Sequence, residues 1–246
     1  MKYEQIEGKN SVIETLKSGT RVFELLVQSG TREDARVRWA IQTAKTRRIP
    51  VTFLSKDEID RLSMASRHQG IIARVETYRY ATLPGLLKRV YDSGEEAMLL
   101  MLDGITDPHN LGSIIRSAEA AGAHGLILPK HRSAPVNPVV FHTSAGAAEY
   151  LPVATVPNLV SVAKRLKEEG IWIVGADERA EATCFEADLS GPMALVLGAE
   201  GQGISRLMRE TCDTLVRIPM KGQMTSLNVS VAAGVLLYEI RRRRGF

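Results

Sequence analysis

The pattern of apolar and polar residues divides the chain into two parts. In residues 1–75, short strand-like apolar runs alternate with stretches whose apolar residues recur at helical spacing. Ser55 followed by Glu58 is a capping box, which predicts that a helix begins there and continues to Met64. The predicted order is helix 8–18, strand 23–28, helix 32–48, strand 50–54, helix 55–64 and strand 70–75. Residues 1–75 are therefore predicted to form a small α/β domain, and residues 76–84 a linker.

In residues 85–246, near-continuous apolar runs alternate with helical stretches. Strands are predicted at residues 97–102, 125–128, 153–156, 171–174, 194–197 and 215–218, with helices such as 158–169 and 203–211 between them. This alternation predicts a mainly parallel sheet that is covered by helices on both faces. Ligands of such sheets bind beyond the carboxyl ends of the strands, so the loops that follow strands are the candidate functional segments.

The last predicted helix, which is expected to open at Ser226, is apolar along two lines. One line is Leu227, Val231, Val235 and Tyr238, and the other is Val229, Ala233, Leu236 and Ile240. A helix that is apolar on two faces must be covered on both sides. An ordinary buried helix of an α/β domain would show the same pattern.

Composition excludes several classes of protein. The chain has 246 residues, of which 44% are hydrophobic and 24% charged, as in ordinary globular proteins. No apolar run approaches the length of a membrane span, and the N-terminus has no signal-peptide core. Cys184 and Cys212 form no CxxC pair, and the five histidines show no metal-binding spacing. We therefore expect a cytoplasmic protein without a metal site or a membrane partner.

The net charge of +4 is unevenly distributed. Residues 1–75 contain 14 Lys/Arg against 9 Asp/Glu, and residues 76–246 contain 18 against 19. A further basic run, 241–244, lies at the C-terminus. A charge run is often just solvated surface, but a basic small domain on a near-neutral body is also what a polyanion-binding protein would carry.

The first loop with candidate chemistry is residues 103–125. The chain is predicted to turn at Asp107–Pro108 and to start a helix near Asn110–Gly112, with Arg116 and Glu119 one turn apart. An Arg–Glu pair at this spacing is most often a weak surface pair. Arg116 is also suited to gripping phosphate or ribose oxygens, because it lies near a helix start that follows a strand.

The second and third loops are residues 194–207 and the start of the last helix. In the second, Gly198, Gly201 and Gly203 surround Glu200 with a spacing that matches neither the dinucleotide fingerprint nor the P-loop. Its glycines allow close approach of a ligand, although an ordinary glycine-rich turn would have the same composition. In the third, Ser226 and Asn228 lie beside free backbone N–H groups. Three such loops in one domain predict a shared cleft.

The same three segments resemble, in order and spacing, the three motifs of the SpoU (TrmH-type) branch of the SPOUT RNA ribose 2′-O-methyltransferases. They are DGITDPHNLGSIIRSAEAAG, LVLGAEGQGISRL and IPMKGQMTSLNVSVAAGVLLYE. In addition, GKNSVIETLKSG and RHQGIIARVETY resemble the two ends of the family's small substrate-binding domain. The resemblance implies an α/β fold with a parallel sheet and a C-terminal trefoil knot, preceded by a small α/β RNA-binding domain. It also implies that the knot forms an S-adenosylmethionine pocket and the interface of a homodimer.

The resemblance assigns roles to individual residues. It implies that S-adenosylmethionine binds at Leu197, Gly198, Gly203, Ile218, Met220 and Leu227, with Thr143 and Gly146 in a further cofactor loop. It implies that the catalytic surface consists of Asn110, Arg116, Glu200, Ser226 and Asn228. The family proposal makes Arg116 the general base. Because a guanidinium has a pKa above about 12, we instead expect Arg116 to stabilise the developing alkoxide, with the base unassigned.

The length and N-terminal domain most resemble members that methylate a guanosine ribose in large-subunit (23S) ribosomal RNA. Three alternatives remain: a TrmH-type enzyme acting on transfer RNA, a non-catalytic RNA-binding module of ribosome assembly, and a nucleotide-dependent dehydrogenase. The N-terminal domain argues against the enzyme acting on transfer RNA. The presence of all the polar residues implied for the catalytic surface argues against a non-catalytic module. The third lacks its glycine fingerprint.

Overall fold

The computed structural model describes residues 3–31, 34–64 and 68–245 of the chain. They form two compact units, one of residues 1–79 with 136–146 and the other of residues 80–135 with 147–246. The predicted domains were residues 1–75 and 85–246. The segment 136–146 lies within the second of these, but the structure groups it with the first unit. The predicted linker is also partly structured, because a helix of the second unit begins at Leu83.

The first unit is a four-stranded sheet with helices on both faces. Its elements are β1 (Tyr3–Glu7), α1 (Lys9–Lys17), β2 (Val22–Gln28), α2 (Ala35–Thr46), β3 (Val51–Leu54), α3 (Lys56–Leu62), β4 (Ile71–Glu76) and, from the later segment, α6 (Pro138–Thr143). The strand order is β1-β4-β2-β3, with only the β2–β3 pair parallel. Val37, Ala40 and Ala44 of α2 are fully buried in the core formed with α1 and the sheet.

Most predictions for the first unit are confirmed. The capping box of α3 is present: the Ser55 hydroxyl accepts the amide of Glu58 at 3.3 Å, and the Glu58 carboxylate accepts the amide of Ser55 at 2.7 Å. The predicted helix 32–48 corresponds to α2, which Asp34 caps; residues 32 and 33 lie outside the described part. Strand β1 was not predicted, because Ile6 is its only aliphatic residue.

The second unit is a six-stranded, fully parallel sheet of order β10-β8-β9-β5-β6-β7. Its elements are α4 (Leu83–Ser93), β5 (Met98–Asp103), α5 (Pro108–Ala120), β6 (Gly125–Pro129), a 3-10 turn (Ala147–Glu149), β7 (Val153–Val156), α7 (Leu159–Glu168), β8 (Trp172–Ala176), β9 (Met193–Gly198), α8 (Arg206–Thr211), β10 (Thr214–Val216) and α9 (Val229–Arg244). The predicted parallel α/β architecture is confirmed. The C-terminal knot stays a prediction.

Two helices of this unit begin elsewhere than predicted. Helix α5 begins at Pro108, because the Asp107 carboxylate accepts the amide of His109 at 3.0 Å and so caps the helix. Helix α9 begins at Val229 and not at Ser226, which corrects the prediction. Its cap is Asn228, whose side-chain oxygen accepts the amide of Ser230 at 3.0 Å.

The two apolar lines of α9 have different environments. Val229, Ala233 and Leu236 are buried in the interior of the second unit, to which α9 belongs. Val231 and Tyr238, on the other line, are 52% and 47% exposed. The expectation that both faces are covered is therefore not met within a single chain.

The C-terminal arginines are hydrogen-bonded to other parts of the protein. Arg241 donates to the carbonyl of Ala121 at 2.9 Å, beyond the end of α5. Arg244 donates to the carbonyls of Glu96, Ala97 and Gly191 at 3.0, 3.0 and 2.6 Å. Arg242 and Arg243 each donate to the carboxylate of Glu239 at 2.8 Å. The guanidinium groups of these arginines therefore satisfy hydrogen-bond acceptors within the folded protein.

Within the described residues, no helix is long and apolar enough to cross a bilayer. The same part of the chain contains no group of three or more His, Cys, Asp or Glu residues that could hold a metal ion.

Candidate active site

The candidate site lies at the carboxyl ends of the parallel strands β8, β9 and β5. A cavity of about 170 Å³ is lined there by residues after β8, by the glycine loop after β9 and by the segment before α9. Six of the eight predicted cofactor-binding residues line it: Leu197, Gly198, Gly203, Ile218, Met220 and Leu227. Ser226, predicted to be catalytic, also lines it. Two of the three predicted loops therefore meet at one cavity.

The glycine loop folds tightly back on itself. Ala199 and Gly203 form an antiparallel bridge, with the Gly203 amide donating to the Ala199 carbonyl at 2.8 Å. A Cβ atom at Gly198 would overlap backbone atoms of Gly203 and Ile204. Gly201 and Gly203 have φ angles of 75° and 67°, which L-residues with side chains rarely adopt. The turn thus requires glycine and leaves its backbone accessible to a ligand.

Three predicted catalytic residues form a hydrogen-bonded cluster. The side-chain amide of Asn228 donates to Asn110 Oδ1 at 3.0 Å and to Glu200 Oε1 at 2.5 Å. The Asn228 oxygen accepts the amide and the hydroxyl of Ser230, at 3.0 and 2.6 Å, so all polar atoms of the Asn228 side chain are engaged. Asn110 is 9% exposed, whereas Glu200 is exposed. The cluster, Asn110–Glu200–Asn228, joins all three predicted loops and orients the carboxylate of Glu200.

A second cavity, of about 710 Å³, adjoins the first. The residues common to both linings are Ala199, Glu200, Gln202, Gly203 and Val229. The second cavity is also lined by charged or titratable side chains, namely Asp103, Asp107, His131, Arg132, Arg206 and Arg209. Glu200 lines both cavities, Asn110 lines only the second, and Asn228 lines neither, so the cluster touches the junction of the cavities through Glu200. Ligands in the two cavities would face each other across Glu200.

Arg116 is not brought to either cavity of the single chain. It lies on α5 two turns after Asn110 and is exposed, and it lines neither cavity. Glu119 is exposed as well, and the described residues show no ion pair between the two. The alternative of a surface Arg–Glu pair is therefore not observed.

Thr143 and Gly146 are the other two predicted cofactor-binding residues. They belong to the segment that the structure groups with the first unit. Thr143 lies at the end of α6 and donates its hydroxyl to the Val139 carbonyl at 2.8 Å. Their predicted role in cofactor binding stays a prediction.

Sequence reasoning missed two carboxylates at strand ends. Asp103 ends β5 opposite Gly198 of β9, and it accepts the amide of Ser205 at 2.9 Å, which anchors the exit of the glycine loop. Asp177, just after β8, lies 2.6 Å from Arg209 Nε. Burial favours a higher pKa for Asp177, but the amide of Arg179 and the charge of Arg209 outweigh it and hold the pKa below its usual value. The available signal in the sequence was the position of these two carboxylates, at or within a few residues of the ends of the predicted strands 97–102 and 171–174.

The Asp177–Arg209 pair also connects the two cavities. Asp177 lines the first and Arg209 lines the second. The Asp177 side chain is only 4% exposed, so the pair is part of the wall between them. A buried carboxylate needs such a partner, and the pair therefore holds α8 against the end of β8.

Comparison with known proteins identifies two family regions in the chain. The SpoU rRNA Methylase family matches residues 97–238, which contain both cavities and the cluster. A domain described as RNA 2′-O ribose methyltransferase substrate binding matches residues 5–81.

Individual proteins align over different shares of the chain. The 23S rRNA (guanosine-2′-O-)-methyltransferase RlmB of Pectobacterium atrosepticum is 44% identical over 92% of this chain and 91% of its own. The SpoU methyltransferase AviRb of Streptomyces viridochromogenes, solved in complex with the cofactor AdoMet, is 31% identical with a TM-score of 0.65, over 98% of this chain and 90% of its own. The TrmH/SpoU tRNA modifying enzyme of A. aeolicus is 30% identical with a TM-score of 0.56, but covers only 65% of this chain and 84% of its own.

Proposed function

The chain belongs to the SpoU rRNA Methylase family of S-adenosylmethionine-dependent RNA methyltransferases, and from that premise we propose that it methylates the ribose 2′-hydroxyl of a guanosine in large-subunit (23S) ribosomal RNA. The observation that carries the proposal is the Asn110–Glu200–Asn228 cluster at the junction of two cavities. An enzyme with this acceptor works where ribosomes are assembled, so the proposal includes a cytoplasmic location.

The first cavity fits the methyl donor. Leu197, Ile218 and Leu227 supply apolar side chains of the kind that pack against an adenine ring. Gly198, Gly201 and Gly203 line the same cavity and carry no side chains, so a ligand can approach the backbone of this loop closely. S-adenosylmethionine supplies a methyl group on a positively charged sulfur.

The cluster orients the acceptor. A ribose hydroxyl is a poor nucleophile and benefits from losing its proton as the new bond forms. Asn228, which also donates to Asn110, holds the Glu200 carboxylate at the rim shared by both cavities, where it can align the hydroxyl from the second cavity. Arg116 stabilises the oxygen as negative charge develops on it, in keeping with a guanidinium that does not lose its proton.

A homodimer would complete the site. Val231 and Tyr238 form an uncovered apolar line on α9, and a second copy that covers this line would remove them from water. Arg116 is exposed and lies outside both cavities of its own chain, which agrees with a site assembled from two chains.

The dimer is tested by Val231→Glu. The wild-type protein should sediment as a dimer, and the variant as a folded monomer with little methyl transfer. A matched substitution on the exposed surface of α7, Lys164→Glu, should leave the dimer intact. Full turnover by a wild-type monomer would refute this part of the proposal.

Coverage favours a ribosomal RNA acceptor over a transfer RNA acceptor. The guanosine-methylating relative aligns over 92% of this chain, and the tRNA modifying enzyme over 65%. A region that matches an RNA 2′-O ribose methyltransferase substrate-binding domain occupies residues 5–81 of this chain.

The acceptor is tested by incubating the enzyme with methyl-labelled S-adenosylmethionine and either protein-free 23S ribosomal RNA or bulk transfer RNA. A ribose 2′-O-methyl group blocks alkaline cleavage, so label should appear in an alkali-resistant dinucleotide that contains guanosine. Label in transfer RNA alone would replace the proposed acceptor. Calorimetric binding of S-adenosylmethionine without label in any RNA would identify a non-catalytic module.

A further inference from the structure

The outer surface of helix α2 carries an exposed aromatic ring among basic side chains. Trp39 is 39% exposed and lies on the side of the helix opposite the buried Val37 and Ala44. Arg38 and Lys45, both exposed, lie seven residues apart and therefore follow one line along the helix. Exposed Arg47 and Arg48 continue directly from its C-terminal end. We call these five residues the α2 surface.

The α2 surface is strongly and uniformly positive. Residues 35–48 contain five basic residues and no Asp or Glu. Arg36 lies 3.6 Å from the carboxylate of Asp34, which caps the helix. The described residues show no ion pair for the side chains of Arg38, Lys45, Arg47 or Arg48. Their charges are therefore not neutralised within the protein and create a positive potential at this face.

The Trp39 ring has a cation near it and is partly open to solvent. The Lys17 ammonium lies 6.0 Å from the centre of the indole ring, at the outer limit of cation–π distances, and Trp39 is 39% exposed. The core side of α2 is already filled by Val37, Ala40 and Ala44, which are fully buried. A single exposed aromatic residue is common on protein surfaces. Its position within an unpaired basic surface is the informative feature.

We propose that the α2 surface binds a single-stranded segment of the substrate RNA, with one base stacked on Trp39 and neighbouring phosphates held by the basic side chains. Aromatic rings stack on any base, and basic side chains follow the backbone, which is the combination that single-stranded RNA requires. An acidic protein segment would match the charge but would gain nothing from the indole face. This inference rests on the proposed function, because it specifies how the RNA substrate is held.

Tryptophan fluorescence tests the stacking directly, because Trp39 and Trp172 are the only two tryptophans of the chain. In Trp172→Phe the remaining fluorophore is Trp39, and titration with a short single-stranded oligoadenylate should quench it. In Trp39→Phe the remaining fluorophore is Trp172 on β8, and the same titration should leave its emission unchanged. An unquenched Trp39 at saturating oligoadenylate would overturn the inference.

Binding measurements separate stacking from charge. Trp39→Ala should weaken oligoadenylate binding roughly ten-fold or more, and Trp39→Phe, which keeps an aromatic ring, should recover most of the loss. An abasic oligomer of the same length carries the phosphates without the bases, so its affinity should not change in Trp39→Ala. Equal binding of the abasic oligomer and oligoadenylate to the wild type would show a purely electrostatic surface and overturn the inference.

Methyl transfer distinguishes this inference from the proposed function. Trp39→Ala should raise KM for 23S ribosomal RNA while leaving kcat and calorimetric binding of S-adenosylmethionine unchanged. An unchanged KM would refute the inference that the α2 surface binds the substrate RNA, but it would leave the proposed function intact. If the wild type methylates no RNA, the proposed function fails, and the fluorescence titration still decides whether Trp39 stacks on bases.

Discussion

Two arginine-rich segments of this protein look alike in the sequence but are used differently in the structure. In the α2 surface, Arg38, Lys45, Arg47 and Arg48 are exposed and have no ion-pair partner among the described residues. In the C-terminal run 241–244, every arginine donates hydrogen bonds to a carbonyl or to Glu239. A run of positive charge therefore does not reveal by itself whether it serves a ligand or the fold, and the bonding partners decide.

The difference follows from where each helix ends. The C-terminal turn of α9 carries arginines close to the carbonyls of Glu96 and Ala97, just before β5, and of Ala121, just after α5. Helix α2 ends at the surface, with its basic residues directed away from the core. Arg116 on α5 resembles the α2 residues, because it is exposed and has no ion-pair partner in the described part of the chain.

If exposed arginines without an ion-pair partner interact with a ligand, the largest effect is expected on the activity of an Arg116 variant. Arg116→Ala should lower kcat by about 10²-fold or more, because it removes a charge that stabilises the transition state. Binding of S-adenosylmethionine and the melting temperature should not change. Single-turnover methyl transfer together with calorimetry measures both, with Glu119→Ala on the same helix as the control. Normal turnover would place Arg116 outside the catalytic machinery.

The next effect is at Arg244, which should act on stability alone. Its side chain is 10% exposed, and Arg244→Ala would remove the donor to three carbonyls, at a cost of about 2–3 kcal/mol in the free energy of unfolding. Chemical denaturation measures the loss. Arg242→Ala, whose side chain is 63% exposed, is the matched control and should cost less. Equal stability of Arg244→Ala and the wild type would contradict the structural role of the run.

The stability that Glu239 contributes through its hydrogen bonds with Arg242 and Arg243 should depend on pH. Hydrogen bonds from Arg242 and Arg243 lower the pKa of Glu239 to about 2, so the folded state binds the proton more weakly than the unfolded state. The resulting stability is complete above pH 4.5, the ordinary pKa, and is lost as the pH falls toward 2. Glu239→Gln should therefore be less stable than the wild type at pH 7, by on the order of 1 kcal/mol, with the gap closing at acid pH.

Denaturation at several pH values measures this gap. Glu119→Gln, at an exposed position without an ion pair in the described residues, should show no gap at any pH. A gap for Glu239→Gln that stays constant down to pH 2 would mean that the carboxylate is not the source of the stability.

The smallest effect is expected for the charges of the α2 surface. Replacing Arg38 and Lys45 by Gln should weaken binding of every RNA by a similar factor and reduce the slope of log affinity against log salt by about 1 per charge. The melting temperature should stay unchanged. Arg242→Gln removes one exposed charge from the C-terminal run and should leave the slope unchanged. A loss confined to one RNA sequence would indicate base recognition by these side chains.

The parallel sheet and the glycine loop were predictable because their signals are local. Near-continuous apolar runs specify buried parallel strands, and the predicted bounds of β7 match those observed. Gly198 and Gly203 could be identified because the turn tolerates no side chain. Start positions of helices were less predictable, since caps such as Asn228 and Asp107 compete with nearby polar residues.

By itself, the sequence determined the α/β class, most of the strands and helices, and the three loops with candidate chemistry, because apolar periodicity and glycine act over a few residues. Only the tertiary structure decided which of those residues meet. It joined Asn110, Glu200 and Asn228, which lie up to 118 positions apart, and it left Arg116 on the surface. It also engaged the C-terminal arginines with backbone carbonyls. Such contacts depend on the packing of distant segments, and no short-range pattern encodes them.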